Sequence, residues 1–178
     1  DGVKATFPVK IEGAGTRQPI NFSNQIVPVF TKAGCNSGGC HGKAGGQNGF
    51  KLSLRGYAPE WDHESLTQEL NGRRIDFAFP EKSLLLEKPT GELAHEGGVR
   101  FKRDSRMWQR LVDWVAARAP GPVKDEPNAA ELLVLPGDRT MKVGETQQLL
   151  AQAVYPDGTR RDVTWLAQFF SNDETTIS

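Results

Sequence analysis

Both cysteines of the chain lie in one short segment, Cys35-Asn36-Ser37-Gly38-Gly39-Cys40-His41. Four residues separate the two thiols, and His41 follows the second thiol directly. Because glycine adopts positive φ at little cost, we expect Ser37-Gly38-Gly39 to form a flexible outward bulge between the cysteines. The segment therefore predicts a site in which two sulfur atoms and one imidazole act together.

Three kinds of chemistry use such a pattern. A c-type haem is attached when two thiols add across its vinyl groups and the next histidine binds the iron, usually with two residues between the cysteines. An exported protein with two cysteines often forms a disulfide instead. A zinc site would take Cys35, Cys40, His41 and another histidine. The spacing of four residues leaves these alternatives open.

Helices are predicted on both sides of the cysteines. Asn21 or Ser23 can cap a short apolar helix before Cys35, although Pro28 would kink it. The last helix is predicted from 104 or 105 to 119, because its apolar residues recur at helical spacing: Trp108, Leu111, Val112 and Val115. Further helical segments are expected at 61–70 and 83–86. The order of these segments suggests a helical domain built around the cysteine segment.

The two ends of the chain have the composition of β-strands. One strand is predicted at 3–11, and three more at 132–135, 147–155 and 163–170. Pro156-Asp157-Gly158 is a turn signal between the last two. Three strands in so short a stretch suggest part of a sandwich.

The order of helix, cysteine–histidine segment, apolar loop and last helix resembles class I cytochrome c. More specifically, the chain resembles the planctomycete-type cytochrome c domains that are flanked by bacterial Ig-like domains of group 2. The matching residues are Cys35–Gly42, Gly49–Tyr57, Arg73-Arg74, Pro80-Glu81, Ser83–Leu86 and His95-Glu96-Gly97-Gly98. The resemblance implies one covalent haem c and favours haem over the disulfide and the zinc site.

The fold class expected from this resemblance is a mostly α, cytochrome c-like haem domain joined to an all-β, partial Ig-like sandwich. The expected parts are a terminal strand of a preceding Ig-like domain with a linker at 1–19, the haem domain at 20–121, a linker at 122–130 and the partial Ig-like domain at 131–178. Strand 3–11 is expected to pair with the truncated sheet, within one chain or by strand exchange in a homodimer.

His41 is the expected first axial ligand of the iron, and the second has several candidates. His95 is favoured, because a loop flanked by glycines can approach the metal closely. Met107 is the alternative, although methionine at helical spacing more often fills a core. His63 and an open sixth position are the remaining alternatives for the second axial position. A pair of histidines lacks the thioether that raises the potential of Met/His cytochromes, so we predict a six-coordinate haem of low potential.

The haem pocket is expected to be lined by Phe30, Leu52, Leu54, Leu85 and Trp108, each of which could equally belong to an ordinary core. Arg73 and Arg74 are candidates to pair with the haem propionates, because guanidinium binds carboxylates in a bidentate manner. The alternative is that both arginines are ordinary solvated surface residues.

Composition limits the remaining functions. The chain has 178 residues, 37% of them hydrophobic, and its charges balance to zero, which argues against a nucleic-acid-binding protein. No stretch approaches the ~20 apolar residues of a membrane span, and no signal peptide is visible. Because the chain begins with Asp1 rather than Met, we expect a mature product or a piece of a longer protein. The resemblance implies a periplasmic or otherwise exported location.

One-electron transfer is the expected function, since no catalytic constellation stands out and the sequence does not name a redox partner. An open sixth position would instead make the chain a haem-based sensor or a peroxidase-like enzyme. A third alternative is a structural or adhesive module in which the Ig-like parts bind a partner.

Overall fold

The structure is a computed structural model that describes residues 6, 8–10 and 19–175. Most of the strand predicted at 3–11 lies outside the described residues, so its pairing and the strand-exchanged dimer stay predictions. The helices are α1 (Val27–Lys32), α2 (Pro59–Thr67), α3 (Leu84–Thr90) and α4 (Arg106–Ala116). Shorter turns of helix are a π-helix at Phe22–Ile26 and 3₁₀ helices at Leu54–Gly56, Glu69–Gly72 and Pro80–Lys82.

The first helical segment shows how the chain accommodates Pro28. Asn21 is the cap, with its side-chain oxygen accepting a hydrogen bond of 2.7 Å from the backbone N–H of Asn24. The π-helix that follows ends at Ile26, and α1 begins at Val27. Pro28 therefore occupies the first turn of α1, where its missing N–H removes no helical bond. The predicted kink is replaced by a change of helix type.

The helical core forms between α4 and the segment that contains α1. Ser105 caps α4 through a 3.3 Å bond to the N–H of Trp108, and the predicted apolar stripe faces inward. Trp114 is fully buried, lies 5.4 Å from the ring of Phe22 and donates its indole N–H to the carbonyl of Pro120 at 2.9 Å. This bond fixes the chain where it leaves the helical region.

The β-region is a single antiparallel sheet in the order β1–β2–β3. Its strands are β1 (Glu131–Leu135), β2 (Leu150–Val154) and β3 (Arg160–Asp162), and Glu131 pairs with Val154. The first two predicted strands are confirmed: the one predicted at 132–135 begins one residue earlier, and the one predicted at 147–155 is shorter. The strand predicted at 163–170 is wrong, because the chain re-enters the sheet directly after the Pro156-Asp157-Gly158 turn and leaves it at Asp162.

The segment after β3 packs on the helices instead of extending the sheet. Trp165 and Leu166 contact the helical core, and Arg106 lies 4.7 Å over the ring of Trp165. The Lys32 ammonium donates a 2.7 Å hydrogen bond to the carbonyl of Trp165, and the Gln168 amide donates one of 3.0 Å to the carbonyl of Lys32. The sheet region is therefore attached to the end of α1.

The expected fold class, a mostly α, cytochrome c-like haem domain plus a partial Ig-like sandwich, is wrong. The described residues form four short α-helices, the longest of 11 residues, joined by long turns, and one three-stranded sheet. With 19 glycines and 11 prolines, the chain breaks its helices early. A sandwich requires a second sheet, and the residues expected to extend it fold onto the helices. Among the residues that the structure describes, no helix is both long enough and apolar enough to cross a bilayer.

Candidate functional site

The end of α1 places Cys35. Gly34 adopts φ of +75°, and the N–H of Cys35 donates to the carbonyl of Phe30 at 2.8 Å. This is the Schellman arrangement, in which a left-handed glycine lets the next residue satisfy a carbonyl of the last helical turn. Cys35 therefore starts from a rigid helix end and is 7% exposed.

The segment from Cys35 to Gly42 closes on itself through backbone hydrogen bonds. The N–H of His41 donates to the carbonyl of Cys35 and the N–H of Gly42 to that of Ser37, both at 3.0 Å. Cys40 is 8% exposed, and both cysteines are free thiols. Ser37, Gly38 and Gly39 are exposed, as the predicted outward bulge requires. The four-residue spacing thus leaves both sulfur-bearing residues inside.

The glycine on which this closure depends is not one of those in the bulge. Gly38 and Gly39 do not adopt positive φ. At Gly42, in contrast, an added Cβ would overlap the carbonyl oxygen of Asn36 and lie 2.6 Å from its carbon and 2.8 Å from the oxygen of Ser37. Sequence reasoning missed Gly42, and its position directly after His41 was the available signal.

His41 presents its Nε2 atom because its other nitrogen is occupied. Its Nδ1 lies 3.0 Å from the carbonyl oxygen of Phe50, so Nδ1–H donates and Nε2 carries the lone pair. Partial burial, the main cause, lowers the pKa of His41, and the neighbouring His95, Arg74 and Arg100 lower it further. A neutral imidazole is the form that binds a metal.

His95 has the same arrangement in a separate loop. Its Nδ1 lies 2.9 Å from the carbonyl oxygen of Gly98, while the N–H of Gly98 donates to the carbonyl of His95 at 2.8 Å. The ring centroids of His41 and His95 are 6.3 Å apart and their planes differ by 13°. Two loops that are distant in the sequence thus place two parallel imidazoles across one space.

That space is a cavity of about 200 Å³ between α1, α3 and the loops. Its apolar lining comes from Phe30, Phe50, Leu52, Leu70, Leu84, Leu85, Pro89 and Phe101. Its polar lining consists of Cys35, His41, Gln47, Asn48, Arg73, Arg74, Lys88 and His95. The lining thus holds three cationic side chains and no carboxylate, so the cavity is suited to an apolar group that carries acidic substituents.

The structure brings together only some of the residues predicted to line a pocket. Phe30, Leu52 and Leu85 line the cavity with His41 and His95. Leu54 is 47% exposed and lies on a second hollow, beside Tyr57 and Trp61. Trp108 is buried in the helical core and does not reach the cavity.

The other two candidate ligands of a metal lie elsewhere. Met107 packs against the helical core. The Nε2 of His63 lies 2.8 Å from the carbonyl oxygen of Ala119, and its ring contacts those of Phe22 and Trp114. Of the candidates for a second ligand, His95 is therefore the histidine that lines the cavity with His41.

The two predicted arginines differ in role. Arg74 is buried, donates to the carbonyls of Ser65 and Gly49, and forms a 3.1 Å ion pair with Glu69. Its guanidinium also lies 4.3 Å over the ring of Phe50, so it supports the wall that holds His41. Arg73 is exposed and lines the cavity, where it can meet a carboxylate. Lys88, which was not predicted, lines the same cavity from α3.

Burial controls the thiol chemistry. Loss of solvent raises the pKa of the Cys35 thiol from 9.0 to about 12, with a smaller contribution from Cys40. Among the described residues, no three His, Cys, Asp or Glu side chains converge as ligands of a bare metal ion. A zinc site needs about four such groups, so the geometry gives that alternative no support.

No protein-family model, curated protein or solved structure matches the chain.

Proposed function

We propose that the chain binds one covalent haem through Cys35 and Cys40, with His41 and His95 as axial ligands, and transfers single electrons. The observation that carries the proposal is the pair of parallel imidazoles whose centroids lie 6.3 Å apart. A metal–imidazole bond is about 2.0 Å and the ring centre lies about 1 Å further, so imidazoles on opposite sides of one metal are about 6 Å apart. Each Nδ1 already meets a carbonyl, which leaves each Nε2 for the metal.

Attachment needs only the two thiols and the vinyl groups. Each thiol adds its sulfur to one vinyl carbon and its hydrogen to the other, so two thioether bonds form without an oxidant. Cys35 and Cys40 lie at the two ends of the exposed bulge and are both buried. Cys35 lines the cavity together with His41. Arg73 and Lys88 supply positive charge for the propionates.

When bound, haem supplies a ferric–ferrous couple that changes by one electron. The residues of the chain hold the two imidazoles in fixed orientations, and the apolar lining limits the access of water to the site. The resemblance of Cys35–Gly42, Gly49–Tyr57 and His95–Gly98 to planctomycete-type cytochrome c domains supports the same chemistry. Low potential, a periplasmic or otherwise exported location and an unidentified redox partner are parts of this proposal.

Attachment is tested by producing the protein in a host that attaches haem. We expect an intact mass increased by one haem and an alkaline pyridine spectrum of the c type. Replacing both cysteines with serine (Cys35→Ser, Cys40→Ser) should leave no covalent haem. Colourless wild-type protein whose two cysteines form a disulfide would contradict the proposal.

The second ligand is tested by His95→Ala, with His63→Ala as the matched control. We expect His95→Ala to turn a six-coordinate, low-spin spectrum into a high-spin one that binds carbon monoxide rapidly, and His95→Met to raise the potential. His63→Ala should keep the wild-type spectrum, because His63 bonds to Ala119 rather than lining the cavity. An unchanged spectrum and potential in both His95 variants, or rapid binding of carbon monoxide by the wild type, would exclude His95 as the ligand.

A further inference from the structure

Arg100 lies behind the wall of the candidate site and does not line the cavity. The backbone N–H of Arg100 donates a 2.7 Å hydrogen bond to the carbonyl of Pro89, which ties the loop of His95 to the end of α3. Its guanidinium runs between two glycines: one terminal nitrogen is 3.8 Å from where a Cβ of Gly34 would lie, and the other is 3.2 Å from that point at Gly97. Two positions without side chains thus make room for this group.

The guanidinium is close to the groups that form the candidate site. The Cβ position of Gly97 is also 2.8 Å from Cε1 and 3.2 Å from Nε2 of His95. The imidazole of His95 and the guanidinium of Arg100 therefore both lie beside Gly97. Gly34 directly precedes Cys35 in the chain. The positive charge of Arg100 also lowers the pKa of Cys35 and of His41.

The charge of Arg100 has no ion-pair partner in the part of the chain that the structure describes. Its Nε is buried and has no hydrogen-bond partner, and within residues 6, 8–10 and 19–175 no carboxylate forms an ion pair with it. Leaving a buried charged group unpaired is unfavourable. By comparison, Arg74 and Arg103 each have a carboxylate partner, Glu69 and Glu92. Among the described residues, Arg100 is therefore a positive charge held beside the site without a carboxylate at ion-pair distance.

We propose that the positive charge of Arg100, which has no ion-pair partner among the described residues, raises the reduction potential of the centre held by His41 and His95. The inference rests on the proposed function. One electron from an external one-electron donor lowers the charge of the centre by one, and no bond or proton need change. A fixed positive charge nearby favours the reduced, less positive state, and the partial burial of Arg100 weakens the screening of that interaction by salt.

The test is the midpoint potential of haem-loaded Arg100→Gln and Arg100→Lys, measured at low and high ionic strength. Arg100→Gln should lower the potential at both, whereas Arg100→Lys, which keeps the charge, should stay near the wild type. Arg139→Gln removes an exposed charge in the loop after β1 and should change nothing. If Arg100→Gln does not fold, Arg100→Met, which keeps an apolar stem, supplies the uncharged comparison.

An unchanged potential in Arg100→Gln would overturn the proposal, and so would an equal decrease in Arg100→Lys, which would indicate packing rather than charge. Both variants are measured as haem-loaded protein, so these results would not contradict the proposed covalent attachment or the two proposed ligands. Colourless wild-type protein would instead refute the proposed function, and the inference on Arg100 with it.

Discussion

Replacement of Gly42 by alanine should open the closed segment between Cys35 and His41. The new Cβ would overlap the carbonyl oxygen of Asn36 and lie 2.6 and 2.8 Å from two further backbone atoms. Backbone atoms cannot move aside as a flexible side chain can, so the segment must open. Opening weakens the 3.0 Å hydrogen bonds from the N–H groups of His41 and Gly42.

The expected loss of stability follows from these contacts. Each backbone hydrogen bond contributes about 1 kcal/mol, and forcing an extra carbon into a packed site costs about 1–3 kcal/mol. With both bonds lost, Gly42→Ala should therefore lower the free energy of unfolding by about 3–5 kcal/mol. Because the turn that places His41 after Cys40 opens as well, the yield of protein with covalent haem should also fall.

The assay is urea unfolding of wild type and variants as purified, followed by tryptophan fluorescence. Gly39→Ala is the matched control, because its Cβ would meet nothing within 4 Å and its φ is not positive. We expect the control to change stability by less than about 1 kcal/mol. A Gly42→Ala variant as stable as this control would refute the closed segment as described.

Two further outcomes concern the supporting structure. Burial raises the pKa of Asp62, although both of its oxygens accept hydrogen bonds from Ser53. The folded state therefore favours the protonated carboxyl. The contribution of Asp62 to stability is fully present below the ordinary pKa of 3.8 and is lost as the pH rises through the folded-state pKa. Unfolding titrations should therefore show wild type losing stability relative to Asp62→Asn as the pH rises from about 3.5 to 7; a flat or opposite difference would contradict this. Trp114→Ala should lower the free energy of unfolding by about 3–5 kcal/mol, whereas Trp61→Ala, at a partly exposed position, should cost about 1 kcal/mol or less; equal losses in thermal unfolding would refute the placement of Trp114 in the core.

The helical elements could be predicted from the sequence because their signals are local. Ser105 caps α4 and Asn21 caps the first helical segment, since a side-chain oxygen next to an apolar periodic run is a short-range feature. Helix ends were less well predicted. The helix expected to reach Leu70 ends at Thr67, and Leu70 and Asn71 adopt positive φ, so Leu70 turns toward the cavity.

The β-region shows where local patterns fail. Residues 163–170 have the composition of a strand, but Trp165 and Leu166 pack against the helical core instead. That preference depends on the surface of α4 and on Lys32, more than 130 residues earlier in the chain, and no window of sequence contains both. The expected sandwich failed for this reason, because neither the three β-like segments nor the resemblance shows the surface on which each segment packs.

The candidate site was predicted in part. Spacing singled out Cys35, Cys40 and His41, and the flanking glycines singled out His95, which the fold brings to the same cavity as His41. Leu54 and Trp108 were predicted to face a pocket by hydrophobicity alone, which does not distinguish a cavity wall from a surface or a core. Arg100 gave no signal, because a half-buried arginine whose Nε has no hydrogen-bond partner is recognised only when its neighbours are known.

The attachment of Trp165 to α1 and α4 affects how this chain can be divided for expression. A cut within the linker at 122–130 looks natural, since proline and glycine stop α4 just before it. Such a fragment would lack Trp165 and Leu166, exposing apolar surface on the helices and removing the carbonyl that Lys32 binds, three residues before Cys35. The smallest piece that keeps the first cysteine in its native setting therefore extends at least through Gln168.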